Sequence, residues 1–240
     1  MADCDLILSV DALTELAEGV RAWCPVVPDY RDMEDGAKEL IYLLASIRAR
    51  TARLEDVMHG RFYPAFPDLD AVGETDRPVI EAILRPLGAN QIKARNIVGI
   101  IHRFHTRGLR FDDETMRRLY RRGALWTFLE ALPGVGIKII ECLRVFSFAY
   151  PGVPLDTHNW KVMWRFGVLW PDFVGKLVEP TAVQKRQAHL ALRRIVPNGE
   201  GRALHNRLMQ LGIEICTARN PKCEACPLAK QCLRRGLAPA

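Results

Sequence analysis

Apolar residues recur along most of this 240-residue chain at the three- and four-residue spacing that is typical of α-helices. Residues 36–47 are apolar at so many positions that they are predicted to be a buried helix. Residues 90–104 and 201–215 each carry apolar side chains on one face, which indicates helices packed against a core. The apolar positions of the three segments are, in order, Leu40, Ile41, Leu43, Leu44 and Ile47; Ile97, Ile100, Ile101 and Phe104; and Leu204, Leu208, Leu211 and Ile215.

Signals for helix ends support the same assignment. Asp11 is the predicted N-cap of a helix over residues 11–23, and Asp156 or Thr157 is predicted to cap a helix that runs to residue 166. Residues 112–122 begin with acids and end with arginines, which matches the helix dipole. Proline and glycine separate the segments, and strand signals do not recur. The pattern predicts an all-α protein of about ten helices with short links.

Composition adds mainly a basic charge to this picture. The chain is 49% apolar, which is enough for a core in one large domain or two small ones. Its 34 basic and 28 acidic residues give a net charge of +6. This excess suits a polyanionic partner, and it equally suits a surface kept basic for solubility. No run is long and apolar enough to span a bilayer, and the first residues lack the basic region of a signal peptide, so we expect a soluble, cytoplasmic protein.

Four of the seven cysteines lie close together near the end of the chain, with six, two and five residues between them. They are Cys216, Cys223, Cys226 and Cys232. Four thiolates in so short a segment can surround one inorganic centre, either a structural zinc ion or a [4Fe–4S] cluster. Zinc sites usually use two CxxC pairs and only one is present here, so the spacing favours the iron–sulfur cluster over zinc and over ordinary buried thiols.

The motif LPGVG at residues 132–136 joins two predicted helices through a glycine-flanked turn. Such a turn at a helix N-terminus directs backbone N–H groups outward, where they can bind a phosphate without reading a base. Leu132, Gly134, Val135 and Gly136 are therefore candidate nucleic-acid-binding residues. Glycine and proline also mark plain turns between helices, so the motif alone leaves both interpretations open.

Lys138 lies just after this motif, in the first turn of the next helix, where the helix dipole disfavours a cation. A helix N-terminus and apolar neighbours favour an uncharged amine, so Lys138 is a candidate nucleophile. The alternative is a lysine whose stem covers apolar surface while its amine reaches solvent. Asp156 is a candidate catalytic carboxylate as well as a helix cap, and capping would hold it rigidly.

Three motifs, LPGVGIK, LDTH and the four-cysteine pattern, occur in the order and spacing of one known family. The chain resembles the endonuclease III family of DNA glycosylases, in the helix-hairpin-helix superfamily, over residues 36–232. In bifunctional members of that family a lysine and an aspartate stand where Lys138 and Asp156 stand here. The related adenine glycosylases carry serine at the lysine position. The segment GIKIIECLR also resembles the plant DNA demethylases.

The resemblance implies an all-α, two-lobed fold with DNA bound between the lobes. One lobe would be a six-helix barrel domain with the helix-hairpin-helix, residues 28–150. The other would hold the [4Fe–4S] cluster and would combine residues 1–27 with residues 151–240. The loop TARNPK between the first two cysteines would present Arg219 and Lys222 to DNA phosphates, although either could be a solvated surface residue. The cluster would be structural, in a reducing compartment.

Two parts of the sequence depart from the family pattern. The family usually has a glutamine that fills the gap left by an extruded base, and here Ile47 or Arg48 stands in its place. The family's wedge leucine corresponds to Ala89, which is too small for the same task. Asn90 and Gln91 are candidates to replace it, and both also suit a polar turn at a helix start. These changes leave the preferred base open.

The activity that the resemblance implies is base-excision repair. The protein would remove a damaged base, with oxidised pyrimidines as the first candidates, and nick the strand by β-elimination through a Schiff base on Lys138. His158 would orient Asp156, contact phosphate or serve as part of a cap. The expected partner is double-stranded DNA with a damaged base or an abasic site, bound by a monomer that associates with the nucleoid in a prokaryote. The alternatives are a monofunctional glycosylase of different base preference, an abasic-site lyase, or a module that binds damaged DNA without cutting it.

Overall fold

The computed structural model describes residues 8–27, 35–49, 51–169 and 180–237. Within these ranges the chain is helical, and its β-type pairing is one isolated bridge between Leu8 and Leu169. The predicted all-α class is therefore confirmed. None of the helices in these ranges is both long enough and apolar enough to cross a membrane.

Twelve α-helical segments are present in the described residues, close to the expected number. A π-helical turn, Met58–Phe62, leads from α3 into α4, and 3-10 turns cover Leu69–Ala71, Glu74–Asp76, Arg85–Leu87 and Cys223–Ala225. The helices are α1 Val10–Trp23, α2 Gly36–Ser46, α3 Thr51–Val57, α4 Tyr63–Ala65, α5 Arg77–Leu84, α6 Asn90–His105, α7 Asp113–Arg121, α8 Leu125–Glu130, α9 Ile137–Ser147, α10 Thr157–Phe166, α11 Ala182–Ile195 and α12 Gly201–Glu214.

The chain divides into two compact units. One contains the described residues between Met33 and Leu143, and the other combines those before Asp32 with those from Arg144 onward. The division falls inside α9. The identification of these units with a barrel domain, residues 28–150, and a cluster domain stays a prediction.

The core of the unit between Met33 and Leu143 forms around α2 and α6, which pack against each other. Asp35 caps α2 by accepting the backbone N–H groups of Ala37 and Lys38 at 2.9 and 3.0 Å. Almost every residue of α2 is buried, and the predicted apolar face of α6 is buried as well. Ile47 is different, because it lies just after the end of α2 and is 41% exposed.

The core of the other unit forms where α10 and α12 pack together, with α1 against both. Leu204, Leu208 and Leu211 are buried in this core, as the periodicity predicts. At the start of α12, a side chain on Gly201 would lie 1.8 Å from the carbonyl oxygen of Gly152. Only glycine permits this approach, which brings α12 against the segment that leads into Asp156.

The prediction that Asp11 caps the first helix is wrong. The helix begins one residue earlier, at Val10, and Ser9 is its N-cap. The hydroxyl oxygen of Ser9 accepts the backbone N–H of Ala12 at 3.2 Å. Asp11 lies in the first turn instead, where its charge is favourable to the helix dipole but does not end the helix.

Candidate active site and metal centre

The turn before α9 is built on buried apolar anchors and exposed glycines. Leu132 and Val135 are buried, whereas Gly134 and Gly136 are exposed. Gly134 has φ +77°, and a Cβ there would lie 2.3 Å from Nδ2 of Asn96 on α6. The positive φ therefore favours glycine at this position, and a larger residue would also displace the Asn96 side chain. The arrangement leaves the backbone of the turn accessible, as a phosphate-binding turn needs.

Lys138 is the second residue of α9, as predicted, and its side chain is half-buried. The next two residues, Ile139 and Ile140, are 5% and 2% exposed. The first turn of α9 contains no acidic residue. Lys138 thus lies at the positive end of a helix with apolar neighbours in sequence, and its role as a nucleophile stays a prediction.

Asp156 is the N-cap of α10, in agreement with the sequence. Its Oδ1 accepts the backbone N–H groups of His158 and Asn159, both at 2.8 Å. Two charge-assisted bonds from a helix N-terminus hold the carboxylate in one orientation. The carboxylate is half-buried, so part of it can still act on a bound molecule.

His158 meets Asp156 through its backbone rather than its ring. Its Cβ would lie 2.8 Å from a side chain placed on Gly212, so the residue packs closely on α12. Its Nδ1 is buried and has no hydrogen-bond partner among the described residues. His158 thus takes part in the cap by donating its backbone N–H to Asp156. A role of its ring in contacting DNA stays a prediction.

The peptide group between Pro154 and Leu155, just before Asp156, is held from two helices. The Leu155 N–H donates to Nε2 of His189 on α11 at 3.0 Å. The Pro154 carbonyl oxygen lies 2.8 Å from Nδ1 of His205 on α12. The sequence reasoning missed both histidines. His189 and His205 are 1% and 0% exposed. A polar residue on an otherwise apolar helix face is the sequence feature that could have indicated them.

The four predicted cysteines come together around one cavity. Cys216, Cys223, Cys226 and Cys232 line one pocket that opens to solvent. Cys216 lies just beyond the end of α12, and Cys223 begins the 3-10 turn that Cys226 follows. Among the described residues, no group of three or more metal-binding side chains is arranged to hold a single metal ion.

The donor set and the cavity fit an iron–sulfur cluster. Four thiolates that line one pocket are the donor set that a [4Fe–4S] cluster needs. Burial raises the pKa of the Cys226 and Cys232 thiols above the ordinary cysteine value. These cysteines therefore bind as thiolates only where positive charge compensates for desolvation, and the iron of a cluster supplies that charge.

Arg165 of α10 connects both ends of the cysteine segment. It is 1% exposed, and its Nη1 lies 3.4 Å from Sγ of Cys216. The guanidinium also donates to the carbonyl oxygens of Thr217 at 2.7 Å and Ala218 at 3.0 Å. The Arg165 carbonyl oxygen in turn lies 3.4 Å from Sγ of Cys232. Spacing rules gave no signal for this residue.

The loop between Cys216 and Cys223 presents both of its predicted basic residues. Arg219 and Lys222 are exposed, and Asn220, which lies between them, has φ +51°. The hydroxyl of Thr217 donates to the Arg219 carbonyl oxygen at 2.7 Å, which closes the loop. Contact of these two side chains with phosphate stays a prediction.

The two candidate gap-filling residues are exposed, and one of them has an unusual backbone conformation. Ile47 and Arg48 are both exposed, and Arg48 has φ +56°. Ala89, which precedes α6, also has positive φ, at +49°. Residues other than glycine rarely adopt positive φ, and such backbone strain is often found at functional sites.

The two candidates for the wedge role differ in their contacts. The Asn90 side chain donates from Nδ2 to the Glu81 carbonyl oxygen at 3.0 Å, which fits the turn-and-helix-start interpretation. Gln91 is exposed. Ile92, which the sequence reasoning did not single out, is 54% exposed beside it. Lys93 holds this region from within, because its buried Nζ donates to the Leu87 carbonyl oxygen at 3.0 Å.

Comparison with known proteins agrees with this geometry. Residues 216–232 match the iron–sulfur binding domain of endonuclease III. Endonuclease III of Synechocystis sp. is 25% identical over 202 residues, which cover 84% of this chain and 82% of that protein. DEMETER-like protein 2 of Arabidopsis thaliana is 27% identical over 194 residues, which cover 77% of this chain but 14% of the plant protein.

The fold also has a counterpart among solved structures. A trapped covalent intermediate of endonuclease III with DNA superposes with a TM-score of 0.70 and 22% identity, over 95% of this chain and 97% of that one. The expected [4Fe–4S] cofactor is supported by the matched cysteine segment. The resemblance predicted from three short motifs is therefore confirmed, since residues 216–232 match the iron–sulfur binding domain of endonuclease III and the fold is similar to that of a solved endonuclease III.

Proposed function

We propose that this protein is a DNA base-excision repair glycosylase with abasic-site lyase activity, in which Lys138 is the nucleophile and Asp156 the essential carboxylate. One observation carries the proposal. The same chain combines a glycine turn that leads into a half-buried lysine with a four-cysteine cavity matched by endonuclease III. Neither feature alone is specific, but few functions other than DNA glycosylase activity use both.

The chemistry begins with a nucleotide turned out of the duplex into the active site. The uncharged Nζ of Lys138 attacks C1′ of the sugar, the new N–C1′ bond forms, and the bond from C1′ to the base breaks. The base leaves with a proton. Opening of the sugar ring, with the lysine nitrogen losing a proton, gives a Schiff base between Lys138 and C1′.

Strand cleavage then follows by β-elimination. A proton leaves C2′, the bond between C3′ and its phosphate oxygen breaks, and the 3′ phosphate departs with the electron pair. Water hydrolyses the remaining imine and restores the free amine. Strand cleavage depends wholly on the covalent link between Lys138 and the sugar.

Asp156 would stabilise the positive charge that develops on the sugar as the base leaves, and would accept the proton that Lys138 must lose. Such a role requires a carboxylate that stays in place during the reaction. The two 2.8 Å bonds from the start of α10 supply that rigidity. The half-buried position leaves part of the carboxylate accessible.

The [4Fe–4S] cluster would be held by Cys216, Cys223, Cys226 and Cys232. When bound, it would cross-link the end of the chain and shape the loop that carries Arg219 and Lys222. The proposed steps of base removal and strand cleavage use the side chains of the protein alone. The exposed Arg219 and Lys222 and the backbone of the LPGVG turn would contact phosphates rather than bases.

The proposed substrates are duplexes that contain one damaged base. Oxidised pyrimidines are the first candidates by resemblance to the family. Ile47 or Arg48 would replace the gap-filling glutamine, and Gln91 is the better of the two predicted wedge candidates because Asn90 already bonds to Glu81. A panel of duplexes, each with one lesion, would define the preferred base.

Borohydride trapping tests the proposal directly. The protein is incubated with a duplex that contains an abasic site, and borohydride reduces any Schiff base to a permanent adduct. We expect an adduct with the wild-type protein and none with Lys138→Ala. Lys38→Ala is the matched control, because Lys38 is also a half-buried lysine in the first turn of a helix.

The outcomes separate the alternatives. An adduct that survives Lys138→Ala would place the nucleophile elsewhere. Tight binding without an adduct would indicate a module that recognises damaged DNA without cutting it. An adduct on abasic DNA without release of any base from the lesion panel would indicate an abasic-site lyase.

A further inference from the structure

We propose that His189 is a positioning residue for Asp156. In its neutral form, the His189 ring holds the peptide group between Pro154 and Leu155 in place. The inference rests on the proposed function of Asp156. His189 lies on α11, far from Asp156 in sequence, and is 1% exposed. Its Nε2 lies 3.0 Å from the Leu155 backbone nitrogen, one residue before the carboxylate.

Two hydrogen bonds made by the His189 ring define its proton arrangement. A backbone N–H can only donate, so Nε2 must be the unprotonated, accepting nitrogen. The other nitrogen, Nδ1, lies 2.7 Å from the Lys185 carbonyl oxygen, which can only accept. His189 is therefore neutral with its proton on Nδ1. A second proton on Nε2 would face the Leu155 N–H and break this bond.

The same peptide group is held at its other end. Its carbonyl oxygen, on Pro154, lies 2.8 Å from Nδ1 of His205 and 3.1 Å from Nδ2 of Asn159. His205 and Asn159 are both 0% exposed. His189 on α11 and His205 on α12 thus contact opposite ends of one peptide group. The side-chain amide of Asn159, at the start of α10, donates to the same carbonyl oxygen that His205 contacts.

Rotation of this peptide plane would carry the Cα of Asp156 with it. The cap bonds to His158 and Asn159 fix the carboxylate relative to α10. The hydrogen bond to His189 fixes the backbone just before α10, and so it limits the orientation of the Asp156 carboxylate. Small displacements of a catalytic group have large effects on rate, which makes an acceptor at this point a functional requirement as well as a structural one.

Two substitutions of His189 separate positioning from packing. His189→Gln keeps a side-chain oxygen that can accept the Leu155 N–H, whereas His189→Leu keeps apolar volume and removes the acceptor. The readout is the single-turnover rate of borohydride-trapped adduct on abasic DNA, with DNA affinity and iron content measured alongside. We expect His189→Leu to lower the rate about tenfold to hundredfold with unchanged affinity, and His189→Gln to restore most of it.

Coupling to Asp156 is the sharper criterion. In an Asp156→Asn background, His189→Leu should cause little further loss, because His189 acts through the carboxylate. His102→Leu, which removes an exposed histidine, is the control for the substitution itself and should keep the wild-type rate. Nitrogen-15 spectra of the wild-type protein should show the tautomer with its proton on Nδ1, and the Leu155 amide should exchange faster in His189→Leu.

Several results would overturn the inference. Equal rates in the wild type and His189→Leu would do so, as would full additivity with Asp156→Asn or a doubly protonated His189 at neutral pH. Should His189→Leu fail to fold, the rate of His189→Gln and the tautomer of the wild type decide the matter. Absence of an adduct with the wild-type protein would instead defeat the proposed function, and this inference with it.

Discussion

The guanidinium of Arg165 lies 3.4 Å from the sulfur of Cys216 and 2.7 Å from the neighbouring Thr217 carbonyl oxygen. Arg165 belongs to α10, the helix that Asp156 caps, so this contact links the helix of the proposed carboxylate to the first proposed cluster ligand. A positive donor beside a ligand sulfur stabilises the more negative, reduced form of a cluster and raises its reduction potential. The sequence carries no local sign of this relationship.

Replacing Arg165 with methionine should weaken both the protein and its cluster. Methionine fills similar volume but removes three hydrogen bonds, to Cys216, Thr217 and Ala218. We expect the free energy of unfolding to fall by about 3 kcal/mol, because buried carbonyl oxygens lose a charged donor. Iron content should drop, and the remaining cluster should have a lower reduction potential.

Arg165→Lys provides the matched comparison. Lysine keeps the charge but lacks the planar fork that reaches three acceptors, so its effect should be intermediate. Denaturant unfolding, iron analysis and redox titration supply the three measurements. An Arg165→Met protein with wild-type iron content and potential would contradict this account of the contact.

Gly134 and Gly136 should respond differently to alanine. Gly134 has φ +77°, and a Cβ there would meet Nδ2 of Asn96 at 2.3 Å, whereas a Cβ on Gly136 meets no atom within 4 Å. We expect Gly134→Ala to cost about 1–2 kcal/mol of stability from backbone strain alone. It should also weaken DNA binding, because the turn must shift. Thermal unfolding and a DNA titration of both variants test this, and equal effects would be incompatible with the described turn.

Arg219 and Lys222 should contribute to DNA affinity without reading sequence. Both are exposed on the loop between the first two cysteines. If each neutralises one phosphate, each alanine substitution should reduce the slope of log affinity against log salt by about 0.9. Arg107→Ala, which removes an exposed arginine outside this loop, is the control. A loss of affinity with an unchanged salt slope would mean that the loop acts by shape rather than by charge.

The sequence was sufficient for features that depend on neighbours along the chain. Helical periodicity located α6 and α12, the cap of α10 was read from Asp156, and cysteine spacing located the cluster cavity. Contacts between distant segments could not be predicted in this way. His189 reaches Leu155 across 34 positions, and Arg165 reaches Cys216 across 51. The cap of α1 is also beyond local prediction, because Ser9 and Asp11 are both good N-cap residues. Only the folded helix decides between them.

Lys93 gives a prediction about alkaline pH. Its side chain is 3% exposed, and its amine donates to the Leu87 carbonyl oxygen at 3.0 Å. Burial lowers the pKa of Lys93, because the buried site disfavours the ammonium form. In the unfolded chain the amine titrates near its ordinary pKa of about 10.4. Between the two pKa values the unfolded state therefore binds more protons than the folded state.

This difference sets the sign of the pH dependence. The free energy of unfolding should rise with pH as pH increases through the folded pKa of Lys93 toward the ordinary lysine value. Lys93→Met removes the titrating amine and should remove that contribution, whereas Lys230→Met, at an exposed lysine, should retain it. Urea unfolding of the three proteins at several alkaline pH values measures the slope. An equal slope in Lys93→Met and the wild type would show that the amine is charged in both states, and the burial of Lys93 next to the Ala89 region would then need another explanation.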